Sequence, residues 1–381
     1  MRKHIALAGI LTGVLAMLAT EAANAIPAFA RKYDMDCSNC HLAFPQLNAT
    51  GRRFKEAGYR FQAEEEEAKT VSDFLQLDEH VPLSAILVGR PYDKQSGGQS
   101  SIRAIHEVEL IAGGIIGRQW SGWFELEAED ETDFDPEVGN AIATYTHNEA
   151  LNFQLAWAPV FWSDPYGLLG DHFRMTRGHV GAIDTSFGGA DGGGRLRDNR
   201  QSVGVYGRLA EKFFYSANVS GVAGDSEGEN PGNFSGRLAV DVLENVMVGG
   251  FGFTGEDGST NLDFTRFGID FQADVEDFRI QGIFVAASDD TPGGGDDDNN
   301  AYTVQAMYVN ADGDRPRFVP VVRWDHREIN DGSDDFDDLI VNFTYYIRQN
   351  IKVYAEYANR FNAPTSADET ERFTIQLIAA F

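Results

Sequence analysis

The chain has 381 residues, with 59 Asp and Glu against 31 Lys and Arg, giving a formal charge of −28. So acidic a surface argues against nucleic acid as a partner, because that partner requires a basic face. Forty glycines, 27 phenylalanines and 13 tyrosines against 12 prolines point to many strands rather than a helical core.

The first element is an export signal. Arg2 and Lys3 precede the apolar run IALAGILTGVLAML, and Ala23-Asn24-Ala25 forms a small-residue cleavage site. Residues 1–25 are expected to be removed, so that the mature chain begins at Ile26. Beyond that point no run reaches the ~20 apolar residues of a membrane helix.

The two cysteines of the chain come next, as Cys37 and Cys40 with His41 directly after. A redox-active pair at this spacing belongs in a thioredoxin-like βαβ context, which is absent. A structural zinc site needs four ligands, and no second cysteine pair supplies them. Covalent haem needs two thiols at a fixed spacing and a histidine to reach the iron. The motif therefore predicts one haem c held by Cys37 and Cys40, with His41 as an axial ligand; a plain disulfide is the alternative.

Downstream, Phe44, Leu47, Gly51, Phe54 and Gly58 recur at spacings of three and four, which predicts a short helix with Pro45 early and Gly58 at its end. This stripe reads as a cover for one haem face, with Gly51 allowing close approach, or as the core of a small domain. Arg52 and Arg53 are candidates for haem propionate contacts and equally for a solvated face. Met35 lies too near Cys37 in sequence to reach the far side of a haem. His80 and Met175 are the candidate distal ligands, beside an open position. The run Glu64 to Glu67 is expected to be a solvated linker, and residues 26–80 form the predicted haem segment.

From about residue 81 the period is two. In NFSGRLAVDV, Phe234, Gly236, Leu238, Val240 and Val242 share one face, opposite Asn233, Ser235, Arg237 and Asp241. IKVYAEYA and RFTIQLIAAF alternate in the same way. About sixteen such segments, with centres from Ala85 to Gln376 and a fifth at Met175, predict an all-β fold: a transmembrane antiparallel β-barrel over residues 81–381, preceded by the small α-helical haem segment. Short turns near Lys212, Glu244, Val275 and Gln349 alternate with long polar connections such as SDDTPGGGDDDNN, HREINDGSDDFDD and EDETDFDPEVGN. His106 shares parity with Ile102, Val108 and Leu110 and is expected to face lipid. Glu107, Glu109, Arg237 and Arg323 have lumen parity, compatible with a water-filled channel.

The stretch IPAFARKYDMDCSNCHLAFPQLNATGRRFKEAGYRF, residues 26–61, resembles the N-terminus of the fused monohaem cytochrome–porins of the bacterial outer membrane, whose best-known members oxidise iron. The likeness rests on Cys37-x-x-Cys40-His41, Phe44-Pro45, Leu47-Asn48, Gly51-Arg52-Arg53-Phe54 and Gly58-Tyr59. It implies an outer-membrane electron carrier. Extracellular Fe(II) is the expected donor, and a periplasmic carrier such as a soluble cytochrome c the expected acceptor. The alternatives are a passive haem-containing porin and a conduit for a different extracellular donor or acceptor. An even strand count puts both barrel termini on the periplasmic side and the acidic loops outside. Two aspartate clusters, Asp289, Asp290, Asp296, Asp297, Asp298 and Asp331, Asp334, Asp335, Asp337, Asp338, supply hard oxygen ligands suited to Fe(II) and equally to Ca(II) or Mg(II).

Overall fold

The computed structural model describes residues 28–61, 69–72, 75–77, 83–95, 98–170, 173–187, 194–228, 232–258, 260–364 and 370–381. The expected export signal, the Glu64 to Glu67 run and His80 lie outside these residues.

Sixteen antiparallel strands close into a barrel. In chain order the first eight are β1 (Leu83–Gln95), β2 (Ser101–Ile115), β3 (Trp120–Glu129), β4 (Glu137–Asn148), β5 (Leu151–Ala158), β6 (Arg200–Leu209), β7 (Phe213–Ser220) and β8 (Asn233–Leu243). The rest are β9 (Val246–Glu256), β10 (Asp263–Val275), β11 (Phe278–Asp290), β12 (Asp296–Tyr308, resumed over Asn310–Asp312), β13 (Arg315–Ile329), β14 (Asp334–Arg348), β15 (Ile351–Asn362) and β16 (Glu371–Ala380). β16 pairs back onto β1, and Ala85 and Phe381 exchange backbone hydrogen bonds of 2.7 and 2.9 Å. Each barrel strand is thereby paired on both sides, which a hydrocarbon solvent demands.

The alternation turns the apolar side outward. Phe234 and Leu238 on β8 are each 56% exposed, whereas Arg237 between them is 4% exposed. Phe267, Ile269 and Phe271 repeat the pattern on β10, with Arg266 and Asp270 inside. A soluble barrel would bury those phenylalanines and expose the arginines; this one is arranged for lipid. The two barrel termini meet at the end of the short turns, residues 210–212, 244–245, 276–277 and 349–350, as an even count requires.

Four sequence expectations need correction. The stretch around Met175 is not a strand but part of the connection between β5 and β6, whose described residues fold into the lumen. The missing strand is β4, whose first residues fall in the connection EDETDFDPEVGN and whose remainder belongs to no predicted segment. Its inward face carries Ile142 and Thr144 and its outward face Ala141 and Ala143, so apolar and polar positions do not separate; a bulge opposite Glu125 and Leu126 also breaks the period. The aspartate clusters are mostly strand ends rather than long loops: Asp289 and Asp290 pair with Asp297 and Asp296, and only 291–295 and 330–333 connect the hairpins. His106 is buried rather than lipid-facing, because its Nδ1 meets Asp130 (2.9 Å) and Glu131 (3.2 Å) beyond the strand bulge.

Residues 28–61 close the short-turn end as a plug. They comprise α1 (Ala28–Tyr33), a 3-10 turn over Cys37–Asn39, a tight hairpin pairing His41–Ala43 with Gln46–Leu47, and α2 (Ala49–Glu56). A further two-stranded ribbon, Lys69–Ser72 with Leu75–Leu77, lies between plug and barrel in sequence.

Candidate functional site

The plug is organised around Cys37, Cys40 and His41. The turn closes with Cys40 N–H donating to Cys37 O (3.1 Å), and the chain then reverses through Phe44-Pro45. Pro45 therefore occupies the hairpin turn and not the start of a helix. Asn48 begins the helix instead: its side-chain oxygen accepts from Gly51 N–H (3.0 Å), an N-cap. The same amide donates to Ser38 O (3.0 Å) and Asn39 O (3.1 Å), the two residues between the cysteines. One side chain thus ties the spacing of the thiols to the axis of α2. Sequence reading missed this role, although an Asn three residues ahead of Gly51 is a helix-start signal. Gly58 stops the helix as expected, with φ of +71° and Tyr59 N–H donating to Phe54 O (2.9 Å).

Cys37, Cys40 and His41 line one cavity of about 260 Å³, many times the hole a single water needs. Its walls are aromatic: Phe29, Tyr33, Phe54, Tyr59 and Phe61 from the plug, Trp123 from β3, Trp162 and Phe173 from the inserted connection. Phe29 and Phe54 meet edge to face at 4.9 Å, and Tyr59 and Trp123 meet at 5.0 Å with their planes tilted by 31°. The thiols are unpaired. Burial pushes Cys37 up to about 11, with Asp36 adding to the shift, and raises Cys40 as well. Burial pushes the His41 imidazole down to about 4, so the ring is neutral near pH 7. His41 Nδ1 donates to Pro45 O at 3.0 Å, which fixes the tautomer and leaves Nε2 as the lone-pair nitrogen. Histidines that ligate metals are oriented by such a bond. The two thiols, the neutral imidazole and the apolar walls fit a covalently held, largely apolar macrocycle with one axial nitrogen.

A polar vestibule of about 1210 Å³ at the short-turn end shares Met35, Asp36, Cys37 and His41 with the cavity. On the opposite side, Glu109 of β2 and Glu125 of β3 line the wall. They continue as a file of inward carboxylates, with Glu109 opposite Glu127 and Glu107 opposite Glu129, toward the far end of the barrel.

The remaining sequence candidates are placed elsewhere. Arg52 lies 3.9 Å from Asp274 with its guanidinium over Tyr166, and Arg53 donates to Glu211 O (2.7 Å). Neither lines the cavity. The cation at its wall is Lys55, whose Nζ donates to Trp162 O (2.5 Å) and Asp164 O (2.8 Å); burial pushes it down to about 7 against the pull of Asp164 and Glu56. Met175 packs with Ala43, Leu42 and Phe44 behind the hairpin, outside the cavity lining. Met35, set aside from sequence, does line it.

The lumen beyond the plug is occupied. Arg237 is fully enclosed between Asp164 of the inserted connection and Asp270 of β10, each at 2.7 Å. Arg323 donates to His179 O (2.7 Å), and Arg177 to Asp93 (2.6 Å). An apolar cluster of Phe161, Leu169, Ile183 and Phe187 against Phe251, Phe253 and Ile283 fills the side between them. Arg237 and Arg323 thus anchor inserted chain rather than line open water.

No protein-family model and no curated protein matches the sequence. Solved structures similar to the chain are porins. An anion-selective porin from Comamonas acidovorans is 13% identical with a TM-score of 0.61, over 79% of this chain and 99% of its own. The in-vitro-folded trimer form of OmpT, an outer-membrane protein of Vibrio cholerae, gives 14% and 0.59 over 79% and 99%. OmpF of Salmonella typhi, in complex with daunomycin, gives 12% and 0.58 over 79% and 98%. At such identities the likeness is one of fold: the chain has the closed sixteen-strand barrel of outer-membrane porins.

Proposed function

We propose that the chain is an outer-membrane cytochrome–porin that takes electrons from extracellular Fe(II) at one covalent haem c and passes them to a periplasmic carrier such as a soluble cytochrome c. One observation carries the reading: Cys37, Cys40 and His41 line a single apolar cavity inside the barrel, with His41 Nδ1 held by Pro45 O at 3.0 Å. When bound, the haem would supply one-electron chemistry at its iron, so no general acid, base or nucleophile is required. The chain's own groups do the rest. The two thiols would hold the group covalently, His41 Nε2 would offer its iron a nitrogen ligand, and Phe29, Phe54, Trp123 and Trp162 would keep water from it. Lys55, which lines the cavity, would be the cation available to a carboxylate of the bound group.

The surroundings give the reading a direction. The vestibule beside Cys37 and His41 opens at the short-turn end, the end that faces the periplasm in a barrel of this kind. The carboxylate file from Glu129 and Glu107 to Glu125 and Glu109 approaches the cavity from the other side and attracts cations. A passive diffusion channel draws less support, because plug and inserted connection occupy the lumen.

Protein exported by cells that mature c-type haem tests this. Denatured, acetone-washed wild type should keep haem by peroxidase stain, and Cys40→Ala should lose most of it. Fe(II) added to purified protein should reduce the haem, followed optically. An unstained wild-type band would overturn the haem assignment. Reduction by a small neutral reductant but not by Fe(II) would overturn the donor alone.

A further inference from the structure

Two clusters near the loop end of the barrel bring a histidine and two carboxylates together with ligand atoms within 4.8 Å of one another: His106, Glu129 and Glu131, and His326, Glu328 and Asp335. They differ in what already neutralises them. In the first, Arg103 pairs with both Asp130 and Glu131, and His106 is taken up by the same two carboxylates. An arginine fills the place a metal would take. In the second, Arg327 and Arg360 turn to Asp338 (3.5 and 2.9 Å) and stack on Phe336, so no cation is paired with Glu328 or Asp335 among the described residues.

We propose that His326, Glu328 and Asp335 bind a divalent transition-metal ion on the outer wall of the barrel at its loop end. Glu328 and Asp335 are direct cross-strand partners on β13 and β14, and His326 precedes Glu328 by two residues on the same face. That face is the outer one: Trp324 two residues earlier is exposed, while Arg323 and Asp325 on either side of Trp324 are buried in the lumen. The imidazole is already oriented. Its Nδ1 donates to Asp337 Oδ1 at 2.9 Å, and Nε2 turns toward Glu328, 3.7 Å from Oε1. Asp337 is fixed by Trp324 Nε1 (2.9 Å) and Asn362 Nδ2 (3.0 Å), and the ring stacks on Tyr302 at 4.7 Å. Asn300 holds the other oxygen of Glu328. A carboxylate behind a histidine, with the free nitrogen aimed at further carboxylates, is the arrangement of a metal ligand and its support. One imidazole with two carboxylates selects borderline metals such as Fe(II), Mn(II) or Zn(II) over Ca(II), which prefers oxygen alone. The site owes nothing to the haem and stands or falls apart from it.

The probe is Zn(II), titrated calorimetrically into full-length detergent-solubilised protein beside Ca(II), with heat-modifiable gel migration as the check on folding. His326→Gln should weaken one Zn(II) site at least tenfold, and Asp337→Asn, which removes no ligand, about 10- to 100-fold. His106→Gln should leave that site unchanged. Unaltered Zn(II) binding in folded His326→Gln would overturn the proposal. So would loss of the site in His106→Gln, or Ca(II) binding as tightly as Zn(II) and indifferent to His326→Gln, which would mark a carboxylate patch bridged to surface lipid.

Discussion

Gly51 lies directly against the carbonyl of Cys40. A methyl group at position 51 would sit 2.9 Å from the Cys40 carbonyl carbon and from Leu47 Cδ2, and closer still to the Cys40 oxygen. The helix can approach the thiol turn only because residue 51 has no side chain. Gly51→Ala should force α2 away from the motif at a cost of about 1–3 kcal/mol, and the haem stain per folded barrel should fall. Gly117→Ala, at a position with open space around it, is the control. Equal stain in the two variants would show that the spacing of turn and helix does not matter to attachment.

Leu238, midway along β8, decides between lipid and water outside the barrel. Leu238→Arg should destabilise folding into vesicles by about 2–4 kcal/mol, the depth-dependent cost of a lipid-facing cation. On a water-exposed surface the same change would stay within about 0.5 kcal/mol. Urea titration of vesicle-inserted protein measures the difference, and a shift near zero would contradict a lipid-facing β8.

Much of the barrel was legible because lipid outside and polar contacts inside impose a strict period of two, as on β8, β15 and β16. Legibility failed where that contrast fails. β4 sets Ala141 and Ala143 against Ile142 and Thr144, and Met175 alternates with polar neighbours yet belongs to chain folded inward. At the site, Cys37, Cys40 and His41 could be read from spacing alone. Trp123, Trp162 and Phe173 could not, since they reach the cavity from parts of the chain remote in sequence. Arg52 and Arg53 lie near the motif along the chain, but α2 turns them toward the barrel wall and leaves Lys55 facing in.

Glu56 and Arg208 hold the plug to the wall. Arg208 donates to both carboxylate oxygens of Glu56 (2.7 and 2.5 Å), with both side chains buried. Removing one partner of such a pair costs about 3–5 kcal/mol. Glu56→Ala should loosen residues 28–61 and raise channel conductance in planar bilayers, and the exchange Glu56→Arg with Arg208→Glu should partly restore closure. Arg315→Ala, which breaks the exposed pair with Asp36, should change little, since such pairs contribute about 0–1 kcal/mol. Unchanged conductance in Glu56→Ala would mean that the inserted connection alone seals the lumen.

The acidic rim can be tested without dismantling it. Asp289 holds Arg266 (2.6 Å), Asp337 holds His326, and Asp338 holds Arg360, so neutralising every aspartate of the two clusters would confuse steering with damage. Asp290, Asp296, Asp298 and Asp331 are exposed and lie outside the His326 cluster. Changing these four to Asn leaves the buried pairs intact and removes four negative charges from the mouth. If the rim concentrates Fe(II), haem reduction by Fe(II) should slow at low ionic strength, while reduction by a small neutral reductant keeps the wild-type rate. The difference should shrink as salt rises, because the field of exposed charges is screened within about 8–10 Å at physiological ionic strength. Equal Fe(II) rates at low salt would mean that these carboxylates only solvate the rim, leaving the inward file from Glu129 to Glu125 as the remaining route by which charge acts on the donor.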